Sequence, residues 1–187
     1  MRDKFNYFKK YNTLSKSAEN AILEICSVSD YQKNRDLQSI GHTCRNIYFI
    51  KKGAIRVYYY KDGIDITESF GIENTIIARA ESLFTGTPSR KAIQLLENSE
   101  IIAINAAQLY KLYDTFPEIE RLFRKIFERA YVETVNRMES IQFNSAEERY
   151  NTLLQEAPEV IKRIPLKYIA SYLGITQVSL SRIRAKK

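Results

Sequence analysis

The chain has 187 residues, 44% of them apolar, which is enough to build one large domain or two modest ones. It carries a formal net charge of +7 but only two cysteines and one histidine. These counts argue against a disulfide framework, a four-thiolate cluster, a metal site and a bound cofactor. No apolar run follows the charged first residues, and none approaches the roughly 18 residues that cross a bilayer. We therefore expect a cytoplasmic protein that does not bind membranes.

The first part of the chain reads as one helix followed by short strands. A helix is predicted over residues 14–25, with Ser15 as its N-cap. Glycines then separate short runs that are rich in Ile, Val, Tyr and Phe, and Asp62-Gly63 supplies a hairpin turn. The predicted strands are 46–50, 54–60, 64–70, 75–78, 92–96 and 101–104. Short strands with evenly spaced turns predict a small antiparallel barrel or roll.

A long helix is predicted after the roll. Asn105 caps a first helix over 106–113, and Thr115-Phe116-Pro117-Glu118 matches a capping box with an early proline. The segment 118–143 contains no Gly or Pro and has more apolar residues than one face of a surface helix requires. We expect some of them to cover the roll while Leu122, Ile126 and Ala130 meet a second copy of the helix. The alternative is a helix wholly buried in its own chain.

A second capping box, at Ser145 and Glu148, predicts a new helix that runs through Leu154. A domain boundary is therefore expected near Asn144. The predicted domains are a β-roll over 1–115, a dimerisation helix over 116–143 and an all-α domain over 144–187. The fold class is α+β, with an N-terminal antiparallel roll and a C-terminal helix-turn-helix.

The last stretch of the chain, 165–187, has the helix-turn-helix pattern. Ile169, Ala170 and Leu173 share a face of a first helix, and Gly174 ends it because the position after a helix end often needs positive φ. Thr176 can cap the second helix. The spacing of apolar residues, alanine and glycine is the one that lets two helices cross closely.

Charge supports the same assignment, because residues 161–187 contain seven basic residues and no acidic one, which equals the whole chain's excess of +7. A basic excess confined to a helix-turn-helix indicates a phosphate backbone as the partner. The alternative is an αα-hairpin with a solvated basic tail. The second helix would enter the major groove, and the predicted DNA-contacting residues are Lys167, Thr176, Gln177, Val178, Ser179, Ser181, Arg182, Arg184 and Lys186.

The chain resembles the Crp/Fnr family of bacterial transcription regulators along essentially its whole length, and most of all its compact Bacteroidetes members. The resemblance is carried by residues 41–71, by the Ser145-Ala146-Glu147-Glu148-Arg149-Tyr150 run and by the helix-turn-helix segment from Pro165 to Thr176. It implies a homodimer that binds a palindromic double-stranded DNA operator, a roll similar to cyclic nucleotide-binding domains, and RNA polymerase as a further partner. It implies no catalytic residues, so we expect a protein that is not an enzyme.

The nucleotide pocket of that family needs a Gly-Glu pair for the ribose and an Arg followed by Ser or Thr for the phosphate. The corresponding segment here offers Arg79, Glu81, Ser89 and Arg90. Arg90 fits the phosphate arginine in one alignment and Ser89 takes its place when the alignment shifts by a residue. Glu81 has no preceding glycine, and Lys91 stands where the hydroxyl residue is expected. We therefore expect a degenerate phosphate cassette and an effector that is unknown.

Two other function classes remain open at this point. One is a small-molecule-binding, cupin-like roll without a DNA function, although cupin chemistry generally needs clustered histidines and carboxylates. The other is a non-specific nucleic-acid coating protein, although the aromatic residues lie mainly at strand positions rather than among the basic residues of the tail. The sequence favours a sequence-specific regulator over both.

Overall fold

A computed structural model describes residues 11–185. Its strands are β1 Cys26–Tyr31, β2 Asp36–Gln38, β3 Asn46–Lys52, β4 Ile55–Lys61, β5 Ile64–Gly71, β6 Ile76–Ile77, β7 Ala92–Leu95 and β8 Ser99–Asn105. Its helices are α1 Lys16–Glu24, α2 Ala80–Thr85, α3 Ala106–Thr115, α4 Pro117–Phe143, α5 Ala146–Glu156, α6 Pro158–Arg163, α7 Leu166–Leu173 and α8 Gln177–Ala185. The predicted order of roll, long helix and helical C-terminal region is confirmed. Within residues 11–185, no helix is long and apolar enough to cross a membrane.

The roll consists of two four-stranded antiparallel sheets with strand orders β1-β8-β3-β6 and β2-β7-β4-β5. Side chains alternate across a strand, so β3 sends Tyr48 and Ile50 into the space between the sheets. Ile47 and Phe49 point to the other face, where helices cover them. Strand β3 is therefore buried on both faces, and the sheet that contains it separates two apolar clusters.

The hairpin between β4 and β5 forms at the predicted turn. Asp62 and Gly63 have φ values of 52° and 76°, and Lys61 pairs with Ile64 across the turn. Two consecutive residues with positive φ match the right-handed twist of the flanking strands, and Asp-Gly adopts this conformation at little cost.

Four elements were not predicted: strands β1 and β2 and helices α2 and α6, of which α6 has only six residues. Strand β1 is an exposed, largely polar edge strand with the sequence CSVSDY, which lacks the alternation of apolar and polar residues that predicts a strand. It forms by pairing with β8, which lies far away in the sequence. Strand β2 has three residues, and helix α2 has six, so both are too short for a periodic signal.

The start of α4 also differs from the prediction. Phe116 is the N-cap residue and makes no side-chain cap, Pro117 is the first helical residue, and Thr115 belongs to the preceding helix. Instead of closing a capping box, the Glu118 carboxylate accepts a hydrogen bond from the Ser15 hydroxyl at 2.7 Å. The helix start is therefore fixed by a tertiary contact with the N-cap of α1.

The first half of α4 belongs to the chain's own core. Leu122 is fully buried and Ile126 is 6% exposed, and both pack in the cluster that contains Ile22, Ile47 and Leu109. The expectation that Leu122 and Ile126 meet a second copy is therefore wrong, because this part of α4 covers the outer face of the β3 sheet. The third residue of the predicted seam, Ala130, lies on the exposed second half of the helix.

Candidate nucleic-acid interface and sensor pocket

Helices α7 and α8 and the turn between them form as the sequence predicts. Gly174 has a φ of 70°, and its backbone N–H donates to the carbonyls at the end of α7. The Thr176 hydroxyl accepts the backbone N–H of Ser179 at 3.1 Å and so caps α8. Ala170 and Leu180 are buried, which places the small side chain where the two helices approach each other.

The side chains of α8 that face away from this core are exposed. Gln177, Val178, Ser181, Arg182 and Arg184 are exposed, Thr176 before them is exposed as well, and Ser179 is half-buried beside the turn. Lys167, at the start of α7, is also exposed, and its Nζ lies 4.7 Å from the ring centroid of Tyr168. Lys186 lies outside the described residues. The structure thus places the predicted DNA-contacting residues from 176 to 184 on or beside one short exposed helix.

Helix α7, by contrast, lies against the roll. Arg56 of β4 is only 2% exposed, and its guanidinium carbon lies 3.9 Å from the ring centroid of Tyr168. The same guanidinium binds the Asp65 carboxylate through two nitrogens, at 2.5 and 2.7 Å, and its Nε donates to Gln94 at 2.9 Å. The buried Arg56 guanidinium therefore has a bidentate carboxylate partner and a cation–π contact with an aromatic ring, so its charge and its hydrogen-bond donors are well compensated. It fixes the first helix of the pair to strand β4.

A β-bulge provides a second contact between the two parts. The register of β4 and β5 shifts so that Val57 pairs with Ser69 while Tyr58 pairs with Thr67, which leaves Glu68 as the extra residue. The Thr67 backbone N–H donates to the Ser171 hydroxyl of α7 at 2.9 Å. The bulged strand β5 is therefore joined to helix α7 by a hydrogen bond from its backbone.

Arg163, at the end of α6, makes the third contact. It donates to Glu73 at 2.6 and 2.9 Å and to Glu97 at 2.6 and 3.1 Å. These hydrogen bonds from Arg163, opposed by partial burial, lower the pKa of Glu73 to about 2. Arg163 therefore belongs to the contact with the roll, and Lys162 pairs with Glu159, so the basic excess of the C-terminal segment is smaller at the exposed surface than the sequence indicates.

The candidate sensor residues lie at both ends of α2 and do not form a single cluster. Arg79 precedes the helix, and its Nη1 lies 3.7 Å from the Glu68 carboxylate. Lys91, beyond the loop that follows the helix, forms an ion pair with the same carboxylate. The bulge at Glu68 thus places one carboxylate between two basic side chains, so the groups that could bind an anionic ligand are already paired within the chain.

The other candidates have different surroundings. Ser89 is buried, and its hydroxyl donates to the Lys91 carbonyl at 2.7 Å and accepts the Lys91 N–H at 3.1 Å. Glu81 and Arg90 are exposed. Sequence reasoning missed Glu68, because its role depends on the bulge and on residues that lie 11 and 23 positions further along the chain. No local signal marks such a residue.

Comparison with known proteins agrees with this architecture. Residues 28–116 match the family model of the cyclic nucleotide-binding domain. No curated protein matches the chain significantly.

The chain is similar in fold to several solved regulators. FixK2 from Bradyrhizobium japonicum has a TM-score of 0.73 at 18% identity, with 87% of this chain and 84% of that protein covered. A protein from Eubacterium rectale classed as a Crp/Fnr-family transcriptional regulator has a TM-score of 0.72 at 18% identity, covering 95% and 85%. A mutant of CooA from Carboxydothermus hydrogenoformans has a TM-score of 0.71 at 17% identity, covering 93% and 85%. At these identities the likeness is one of fold.

The family match falls on the roll that carries the Glu68 pairs, and the fold matches cover 87–95% of the chain. Residues 28–116 thus match the cyclic nucleotide-binding domain model, and the chain as a whole has the fold of the Crp/Fnr transcriptional regulators.

Proposed function

We propose that the protein is a sequence-specific, double-stranded DNA-binding transcription regulator that acts as a homodimer. The observation that carries the proposal is the contrast between α7, which is held against the roll by Arg56, and α8, whose Gln177, Val178 and Arg182 are exposed. An exposed recognition helix that follows a fixed first helix is the arrangement that enters a major groove. The division into 1–115, 116–143 and 144–187 is part of this proposal.

The contact residues divide into two groups. Arg182 can donate to the O6 and N7 atoms of guanine, Gln177 can pair with adenine and Val178 can contact a thymine methyl group, so these side chains should read base edges. Arg184 lies at the C-terminal end of α8 and Lys167 at the start of α7, where phosphates are closer than bases. Lys186 is assigned to the phosphate group as well.

The second half of α4 supplies the proposed dimer interface. Tyr131, Met138 and Ile141 each have more than half of their surface exposed. They continue the spacing of Phe127 and Thr134, with alternating steps of four and three residues. This is the apolar spacing of a coiled-coil seam. Ala130 lies beside this seam, so a parallel pair of α4 helices would bury it.

The roll is proposed to be a sensor domain with a degenerate phosphate cassette. Glu68 pairs with both Arg79 and Lys91 from within the chain, so a phosphate would have to compete with this carboxylate for the two basic groups. Cyclic nucleotides are therefore poor candidates for the effector of this domain. RNA polymerase remains the expected partner for the transcriptional output.

Selection of binding sites from random DNA tests the proposal, using the wild type, Arg182→Ala and Arg184→Ala. The wild type should select a palindrome with half-sites about one helical turn, roughly 34 Å, apart. Arg182→Ala should lose preference at one position in each half-site, whereas Arg184→Ala should keep the preferred sequence and bind all sequences more weakly. Failure of the wild type to enrich any sequence would reject sequence-specific DNA binding.

A further inference from the structure

A cavity of about 530 Å³ lies where the long helix, the C-terminal helices and the roll meet. Its volume is within the range of roughly 300–1,000 Å³ that is usual for small-molecule sites. Strand β5 contributes Phe70, helix α4 contributes Asn136 and Arg137, and helix α5 contributes Arg149 and Leu153. Ser89 and Arg90 do not line the cavity, whereas Glu68, the carboxylate that pairs with Arg79 and Lys91, lies at its edge on β5.

Two guanidinium groups converge on the wall of this cavity. Arg137 donates to the Tyr172 carbonyl and lies 3.8 Å from the centroid of the Tyr172 ring. Arg149 donates to the Leu173 carbonyl at 2.7 Å and to the Asn144 carbonyl at 2.5 Å. These carbonyls belong to the end of α7 and to Asn144, the residue that follows α4, so the backbone holds both side chains in place. The Nε–H groups of both arginines are buried and have no hydrogen-bond partner.

The acidic residues that line the cavity, Glu68, Glu133 and Glu156, form no ion pair with either arginine. Glu68 is paired with Arg79 and Lys91, and Glu133 is paired with Arg129. Glu156 lies exposed at the end of α5. Among residues 11–185, no carboxylate forms an ion pair with Arg137 or Arg149. Burial is the main cause that lowers the pKa of Arg137, and the charge of Arg149 acts in the same direction, while Tyr172 and the Glu68 carboxylate oppose both.

We propose that this cavity, which we call the junction cavity, binds a small molecule that carries an oxyanion and an apolar or ring-shaped body. Arginine forks are the side chains best suited to a phosphate or a carboxylate. Further hydrogen-bonding groups lie beside them at Asn136, Ser140 and Thr152, and apolar walls are supplied by Phe70, Leu153 and Val160. The bound molecule would bridge β5, α4 and α5 and would thereby hold the helical region against the roll.

The inference follows from the geometry of the cavity and does not depend on DNA binding. Calorimetric titration and thermal unfolding of the full chain test it with four probes: phenyl phosphate, benzoate, inorganic phosphate and phenol. We expect phenyl phosphate or benzoate to bind and to raise the melting temperature, because ligand binding to the folded state stabilises it. Whichever of the two binds more tightly identifies the anionic group. Equal binding of phenol, or no binding of either oxyanion probe, would overturn the proposal.

Variants assign any binding to the cavity. Arg137→Gln should weaken it by at least about tenfold, the usual effect of losing a hydrogen bond between charged groups. Arg124→Gln, at an exposed arginine on the same helix, and Arg90→Gln, at an exposed arginine that does not line the cavity, should leave it unchanged. Binding that is lost with Arg90→Gln and kept with Arg137→Gln would place the ligand in the roll and reject the junction cavity.

A gain-of-stability variant covers the case in which Arg137→Gln does not fold. Ser140→Glu places a carboxylate on the cavity wall beside the two arginines. It should raise the melting temperature of the unliganded protein and abolish the response to phenyl phosphate, because the anion is then part of the chain. A lower melting temperature together with a retained response would contradict the proposal.

Discussion

The guanidinium of Arg56 on β4 and the ring of Tyr168 on α7 stack at 3.9 Å, in the place where the roll meets the helical region. Tyr168 is half-buried and Arg56 is almost completely buried, so the stack is partly desolvated. It joins a strand near residue 56 to a helix more than a hundred positions later. The orientation of α8 relative to the roll therefore depends on this pair.

Replacing the ring tests the importance of this stack. Tyr168→Ala should lower the free energy of unfolding by about 2 kcal/mol, the usual magnitude for a desolvated cation–π contact. Tyr168→Phe keeps the aromatic face and is the matched control, so it should differ little from the wild type. Denaturant unfolding measures both variants. An equal loss in the two would show that the hydroxyl group, and not the stacking, matters.

The Glu73–Arg163 pair predicts a pH dependence at acidic pH. The pKa of Glu73 is lowered from its usual 4.5 to about 2 in the folded protein. Its contribution to stability is therefore fully present above pH 4.5 and is lost as the pH falls toward about 2. The contribution is modest, because both side chains are partly exposed to solvent.

Thermal unfolding from about pH 6 to about pH 2.5 measures this dependence in the wild type and in Arg163→Gln. The wild type should lose more stability over the acidic range than the variant, since Glu73 in the variant lacks its main partner. Lys162→Gln, at the neighbouring exposed position, is the control and should behave like the wild type. Parallel curves for the wild type and Arg163→Gln would contradict the assignment.

A close approach of two backbones makes Gly53 sensitive to any side chain. Its φ is 111°, and a Cβ atom at this position would lie 2.6 Å from the Cβ and 3.0 Å from the Cα of Ser99. Gly53→Ala should therefore destabilise the fold by roughly 3 kcal/mol or more, since strain and overpacking add. Gly41→Ala is the control, because Gly41 also has positive φ but would meet nothing within 4 Å. Chemical denaturation should give it only about 1 kcal/mol of destabilisation.

Cyclic nucleotides should bind poorly to the roll. The carboxylate of Glu68 already pairs with Arg79 and Lys91, so calorimetric titration with cyclic AMP or cyclic GMP should show no low-micromolar binding. Glu68→Gln removes the opposing charge and should raise the affinity relative to the wild type. Tight binding by the wild type that is abolished by Arg90→Ala would mean that the cassette is functional.

The parts of the fold that were predicted correctly depend on local signals. Ser145 and Glu148 form the predicted capping box, Asn105 caps α3, and the Asp62-Gly63 turn and the Gly174 helix end adopt positive φ as their residue types require. Each of these features involves residues that are close together in the chain. Propensity and spacing are sufficient to locate them.

The parts that were missed depend on contacts between distant residues. Arg163 was counted in the basic excess of residues 161–187 that indicated DNA binding, yet its partner Glu73 lies 90 positions away. Leu122 and Ile126 were assigned to a dimer seam because α4 is apolar on several sides, and the sequence does not say which side meets the sheet. Glu68 has no signal at all without the bulge that places it between Arg79 and Lys91. Pairing partners of this kind follow from the fold and not from the local sequence.

The proposed dimer seam on α4 gives the last prediction. Ile141 is 55% exposed and continues the spacing of Tyr131 and Met138, so an apolar partner surface is needed to remove it from water. Ile141→Glu should leave the monomer folded, since the side chain makes no part of the core, and should place a carboxylate in the seam, where desolvation opposes association. We expect a shift from dimer to monomer at micromolar concentration and weaker binding to a palindromic operator.

Val132→Glu is the matched control for this variant. Val132 is also exposed, at 54%, but it lies on another side of α4, away from the positions spaced by four and three residues. It should therefore remain dimeric in sedimentation experiments, and circular dichroism should show the same helix content for both variants. A wild type that is monomeric at micromolar concentration and on DNA would reject dimerisation. If Val132→Glu dissociates and Ile141→Glu stays dimeric, the interface lies on the neighbouring face of α4 instead. A new charge at a position that is exposed in the monomer opposes association when that position is buried against a second copy.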